Sequence, residues 1–169
     1  MEVNSKSVLS MITKRFKLKR SIIEERMQLQ KIVYLLQVGG IRLGYGFGWN
    51  KYGPYSQDLA NDAYAVLSVE PDKYRETETW VFNAATERKL KSFEGFLSKI
   101  EKDRNKMLEL VASVDFMNRI WSISLKPVED FVKEFRVHKK TLLDGNKVAE
   151  EDVKKAIELA AFINSINRS

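Results

Sequence analysis

Cysteine is absent from the 169-residue chain, which excludes a disulfide framework, a thiolate zinc site and a cysteine nucleophile. Histidine occurs once, as His138, so a paired-histidine metal site and a two-histidine acid–base scheme are excluded as well. There are three prolines, none flanked by a linker-like stretch, which argues for one domain over residues 1–169. No apolar run approaches the roughly 20 residues that a membrane-spanning helix needs. The N-terminal segment is acid-poor and serine-containing, superficially like a transit peptide, but it has no sustained apolar core of a secretory signal. These absences together describe a cytoplasmic chain with no membrane partner.

Positive charge is present but unevenly placed. Residues 1–20 carry Lys6, Lys14, Arg15, Lys17, Lys19 and Arg20 against Glu2, a net of +5 out of the chain's +6. Such a block attracts phosphate backbones, anionic lipid or an acidic protein surface, or simply solvates one face of a helix. Leu9, Ile12 and Phe16 form one apolar stripe, so the segment is expected to be a basic amphipathic helix or arm docked on the body. Lys14, Arg15, Lys17, Lys19 and Arg20 are its candidate phosphate contacts.

Helical periodicity dominates the remainder. Leu29, Ile32, Val33 and Leu36 make an i, i+3, i+4, i+7 stripe that Gly39 and Gly40 terminate. Ser56 is a plausible N-cap with Asp58 in the first turn, ahead of a helix through Leu59, Ala63, Val66 and Leu67. Residues 77–82 alternate and read as a short strand, pairing with residues 47–51 in a sheet of two or three strands. Asn83 or Thr86 caps the helix of Leu90, Phe93, Leu97 and Ile100. A break near residues 102–105 precedes a mostly buried helix through Met107, Leu110, Val111, Val114 and Met117. Pro127 opens the next helix, Asp144-Gly145 marks a turn, and Val153, Ile157, Ala160 and Ala161 belong to the last helix. The expected fold is mainly α, a single compact domain of about six helices with a small antiparallel hairpin after the second.

Catalytic chemistry finds little footing. Gly44, Gly46 and Gly48 are spaced by two and follow a helix, whereas a pyrophosphate cradle needs strand, glycine turn and helix N-terminus. The adjacent pairs Glu24-Glu25 and Glu129-Asp130, and the run Glu150-Glu151-Asp152, point about 100° apart in a helix and do not make a proton-sharing dyad. They suit the first turns of helices. His138 sits within Arg136-Val137-His138-Lys139-Lys140, surroundings that make it a poor metal ligand and an ordinary helix-end residue. This basic cluster is a second place for phosphate contact. No nucleophile elbow is present. The reading is therefore non-enzymatic, with no cofactor and no metal.

What stands out is residues 41–55, where Tyr45, Phe47, Trp49, Tyr52 and Tyr55 fall in eleven positions joined by glycines and Gly53-Pro54. Alternate residues of a strand share a face, so Tyr45, Phe47 and Trp49 lie together with glycines opposite. The rings either close the core or present a partner-binding surface, since Tyr and Trp dominate interface energetics. Gln30, Lys31 and Tyr34 on the preceding helix, with Gly53, Pro54 and Ser56, form the supporting scaffold. A buried glutamine can satisfy the backbone of the Gly-Pro turn, and Tyr34 can stack on its ring.

At this point the sequence resembles a known pattern. Arg26-Met27-Gln28-Leu29-Gln30-Lys31-Ile32-Val33-Tyr34-Leu35-Leu36, then Trp49, then Tyr52-Gly53-Pro54-Tyr55-Ser56-Gln57-Asp58-Leu59, resembles the YwgA-like proteins and, more distantly, the Panacea (SocA-like) antitoxin domain. The resemblance covers residues 20–70. It implies a mostly helical, non-enzymatic module that neutralises a toxin or serves as a proteolytic adapter, often phage- or mobile-element-associated. The chain carries no fused helix-turn-helix domain. The expected partner is another protein, a toxin or a protease or adapter component, and a symmetric dimer is compatible with the N-terminal apolar stripe. The competing reading is a winged-helix-like nucleic-acid-binding regulator, with the small sheet as wing and the basic arm on phosphate.

Overall fold

A computed structural model describes residues 4–139 and 148–169. Among them, seven α-helices and one 3-10 helix surround a two-stranded antiparallel sheet. They are α1 (Ser5–Arg15), α2 (Ile23–Val38), β1 (Gly48–Asn50), β2 (Gly53–Tyr55), α3 (Gln57–Tyr64), the 3-10 helix (Pro71–Thr79), α4 (Ala84–Ser98), α5 (Arg104–Arg119), α6 (Val128–His138) and α7 (Glu150–Arg168). A π-helical stretch (Ala65–Val69) continues α3. The mainly α class holds, with more helices than the expected six. No described helix is long and apolar enough to cross a membrane.

The central element is α5. Leu108, Leu110, Val111, Ala112, Val114 and Met117 are all fully enclosed, more than one face of a helix can carry, so this helix is wrapped on every side. Its neighbours are α2, α7 and strand β2. Start and stop signals fall where local chemistry demands. Asn4, Ser56, Asn83 and Asp103 each accept a backbone N–H of the first turn of α1, α3, α4 and α5. Gly39 ends α2, and Gly40 follows at φ +85°, a conformation in which a side chain would meet Asn167 and Lys89. The three acidic clusters named from sequence all lie in first turns, of α2, α6 and α7, where negative charge favours the helix.

Two expectations fail. Residues 77–82 form no strand: Pro71 opens a 3-10 helix that runs to Thr79, and residues 80–83 leave it without regular structure. With three residues per turn, Tyr74 and Thr77 eclipse each other and both bury against α1, which a polar–apolar alternation cannot reveal. The hairpin takes no third strand because β1 pairs with β2, in the register Gly48↔Tyr55, Trp49↔Pro54 and Asn50↔Gly53. The expected turn at Asp144-Gly145 lies outside the described residues.

The N-terminal segment is a docked helix. Leu9 and Ile12 are fully buried, and Phe16 meets Phe93 edge-on at 5.5 Å. Gly53 is the glycine on which the hairpin turns, at φ +81°; a Cβ there would stand 2.4 Å from Ser113 Oγ. Gly46 has open space around the same position. Gly53→Ala should therefore destabilise by about 3 kcal/mol through left-handed strain and overlap. Gly46→Ala should change stability by less than about 0.5 kcal/mol. Urea unfolding of the two variants checks the contrast.

Candidate functional site

From Ile41 to Asn50 burial alternates as a strand's would, although only Gly48–Asn50 is strand and Gly44 takes φ +85°. Ile41, Leu43 and Tyr45 are buried and Phe47 and Trp49 half-buried, while Arg42, Gly44, Gly46, Gly48 and Asn50 face solvent. Tyr45, Phe47 and Trp49 do share a face, and that face looks inward. Tyr45 is enclosed and donates to Asp62 at 3.0 Å. Its burial and the Asp62 carboxylate push the phenol well above its ordinary pKa. Phe47 meets Tyr34 edge-on at 5.1 Å. Trp49 stands 5.7 Å from Phe116 and 4.6 Å from Trp121. These three rings are packing residues with at most one edge exposed.

Beneath them α2 presents a polar face two turns long. Gln30 Nε2 donates to the Ser56 carbonyl at 2.8 Å, and Ser56 N–H donates back to Gln30 Oε1 at 2.9 Å. Seven residues on, Gln37 makes the same two-way pair with the backbone of Tyr45, at 2.8 and 2.9 Å. Between them, Lys31 Nζ donates to the Pro54 carbonyl at 2.6 Å. A buried glutamine is expected to satisfy the carbonyls of the Gly-Pro turn; Gln30 instead pairs with the backbone of Ser56 just after it, and Lys31 takes the Pro54 carbonyl. Gln37 was not singled out in the sequence, although its i+7 spacing from Gln30 is the signal that places both on one face. Tyr34 differs from expectation: it packs on Phe47 and Phe116, not on the turn. Its hydroxyl donates to Asp115 at 2.6 Å, and Arg119 closes that group by donating to both oxygens. Burial and the Asp115 carboxylate raise the Tyr34 phenol.

A buried charge cluster lies behind the Gly53-Pro54 turn. Lys139, fully enclosed at the end of α6, donates to Glu109 of α5 at 2.9 Å, and its ammonium stands 5.2 Å from the Trp49 ring. This overturns its place in a solvent-facing basic cluster: Lys139 turns inward, Arg136 donates to the Val148 carbonyl at 3.2 Å, and Lys140 lies outside the described residues. His138 is an exposed helix-end residue, its ring 4.9 Å from Trp121. Burial lowers Lys31 to about 7, helped by the nearby Lys139 charge and opposed by Glu109. Burial likewise lowers Lys139 to about 8 and raises Glu109, each opposed by the other's charge. Glu109, Ser113 and Asp115 were passed over in the sequence, where three polar residues inside an apolar helical run were the available signal.

On the outer side, Tyr52 and Tyr55 are half-exposed and line a groove of about 320 Å³. Arg20, Ile23, Arg26 and Met27 close it on the α2 side, and Ala60 and Ala63 on the α3 side. Of the five candidate phosphate contacts, two are engaged in ion pairs. Arg15 holds Glu87 through two nitrogens at 2.8 Å and Glu94 at 2.7 Å. Lys14 pairs with Glu78 at 3.1 Å, and Lys17 and Lys19 are exposed. The sequence-named residues thus fall into a buried scaffold, a surface groove that Gln30 and Lys31 of that scaffold also line, and an N-terminal segment in which Lys14 and Arg15 are paired while Lys17 and Lys19 are exposed. Among the described residues, no group of three or more carboxylates or histidines could hold a metal ion. Comparison with known protein families, with characterised proteins and with solved structures finds no match.

The cluster sets a pH dependence. An unfolded lysine keeps its proton to about pH 10.4, whereas native Lys31 releases it at about 7. Between these values the unfolded chain binds more protons, so stability rises with pH through that window. Urea unfolding should show a rise of a few kcal/mol from pH 7 to pH 10, and Lys31→Met should reduce it, leaving the part above about pH 8 that comes from Lys139.

Proposed function

We propose that this protein is a non-enzymatic protein-interaction module whose contact surface is the groove beside Tyr52 and Tyr55. The observation that carries the reading is a surface groove built on a fixed hairpin. Gln30, Lys31 and Gln37 hold the backbone of the segment, and the groove, whose floor Gln30 and Lys31 also line, offers two half-exposed aromatic rings on that rigid support. Tyrosines held this way contribute large contact area at small rotamer cost, the composition found at interface centres. The resemblance of residues 20–70 to YwgA-like and Panacea-type sequences supports the same class, in which the partner is a toxin or a component of a proteolytic system. The charged residues inside the fold support it too, since Glu109 and Lys139 satisfy each other away from the surface.

The nucleic-acid alternative draws less support. Of its five candidate phosphate contacts, Lys14 and Arg15 are committed to Glu78, Glu87 and Glu94, which leaves Lys17, Lys19 and Arg20. The hairpin that would serve as a wing is laid against α2 and α5.

Affinity capture from the native host, with and without nuclease, tests the proposal. A protein that co-elutes after nuclease treatment from the wild type, and whose recovery falls at least tenfold with Tyr52→Ala or Tyr55→Ala, is the expected result. Both variants should keep the wild-type far-ultraviolet circular dichroism, because each ring is half-exposed. Recovery of nucleic acid alone, or of a protein indifferent to both substitutions, overturns the assignment.

A further inference from the structure

The groove beside Tyr52 and Tyr55 is one-sided in charge. Arg20, Arg26 and, at its floor, the buried Lys31 line it, and no carboxylate is among its described lining residues. Several cations elsewhere are paired with carboxylates, as Arg15 is with Glu87 and Glu94, Lys106 with Asp152 and Lys154 with Glu150. Arg26 is exposed and has no ion-pair partner among the described residues. Among the described residues Arg20 is held by neutral groups, its guanidinium 4.6 Å over the Tyr64 ring and donating to Ser68 Oγ at 3.1 Å. A guanidinium fixed this way keeps its full charge for an incoming anion and needs little further ordering to bind it. Lys51, 5.2 Å from the Tyr52 ring at the tip of the hairpin, extends the positive side.

Next to this charge the surface is apolar. Met27, Ala60 and Ala63 contribute to the groove, and Ile22 and Ile23 stand 55% and 48% exposed at the start of α2. Large aliphatic side chains this open, beside uncompensated cations, match a ligand that carries an anion and a hydrophobic group close together. The volume, about 320 Å³, is at the small end of ligand pockets and accommodates one or two side chains. A phosphate track needs exposed cations repeated along its length, whereas this short groove offers Arg20 and Arg26, its third basic residue, Lys31, being buried and bonded to the Pro54 carbonyl.

Resting on the interaction reading above, we infer that the groove takes an acidic peptide segment of the partner protein. An Asp or Glu side chain lies between Arg20 and Arg26, and one large apolar side chain beside it seats on Met27, Ala60 and Ala63. The arginines set orientation and association rate, and the apolar seat supplies most of the affinity.

Selection of a random twelve-residue peptide display library on the immobilised protein tests this directly. The expected result is enrichment of peptides with Asp or Glu within two or three positions of Leu, Phe or Trp. Affinity of a synthetic peptide of that kind should fall about tenfold with Arg26→Glu, and its salt dependence should weaken in the same variant. Arg20→Glu, at a separate point on the rim, should act in the same direction, with folding of both variants checked by circular dichroism. Failure to enrich any peptide, enrichment without acidic residues, or an acidic peptide indifferent to both charge reversals overturns the inference. So does retention of a duplex DNA oligonucleotide that Arg26→Glu abolishes. If the acidic-segment inference fails while Tyr55→Ala still loses a nuclease-resistant native partner, the interaction reading survives without it.

Discussion

Everything in this molecule depends on α2 standing in for a missing strand. A two-stranded hairpin is marginal by itself in water, because half its backbone groups lack partners and its faces lack cover. Here the amides of Gln30 and Gln37 take the place of strand backbone at the two ends of the segment, and the Lys31 ammonium fills the gap between them. Each amide both donates and accepts, so it satisfies an N–H and a C=O at once. The same helix buries Leu29, Ile32, Val33 and Leu36 against the rest of the core. It is enclosed on both sides, apolar on one and hydrogen-bonding on the other.

This arrangement draws charge into the interior. Lys31 reaches the Pro54 carbonyl only by leaving water, and Lys139 and Glu109 are enclosed on the far side of the same turn. Removing two ammonium groups and a carboxylate from water is unfavourable unless each finds close partners. The protein meets that condition with short contacts and with shifted protonation, since both lysines lose protons more readily than they would in solvent. The Tyr34–Asp115–Arg119 group follows the same rule with a hydroxyl between opposite charges. Asn164 of α7 completes it by donating to the other Asp115 oxygen at 3.0 Å. Polar contacts thereby tie α2, α5 and α7 together at fixed points within an otherwise apolar interior.

Much of the fold was legible in the residue pattern, and the reasons are local. Stripes such as Leu90, Phe93, Leu97 and Ile100, caps such as Ser56 and Asn83, and stops such as Gly39 report on a single element and its one buried side. The alternation from Ile41 to Trp49 was legible for the same reason. What escaped depends on contacts distant in sequence. Residues 77–82 alternate without a strand to pair with, and Pro71 takes them into a 3-10 helix instead. Lys139 reads as one more cation in a basic run until Glu109, thirty residues away, draws it inside. Of the candidate site, the scaffold was readable through Gln30 and Lys31. The sorting of five aromatics into three packed on the core and two lining the groove was not, because it rests on the helices α5 and α3 that flank the hairpin.

Spacing along α2 has one more effect. Gln30 and Gln37 are separated by about 10.5 Å of helix rise, and that separation is rigid. The segment from Tyr45 to Ser56 must leave one amide and return to the other with its reversal at Gly53 intact, so its length is dictated by helix pitch. An added or deleted residue between those anchors would shift one of them out of reach, or turn Phe47 and Trp49 toward solvent. The helix thus acts as a ruler for the hairpin, and variation in chain length is confined to segments it does not measure.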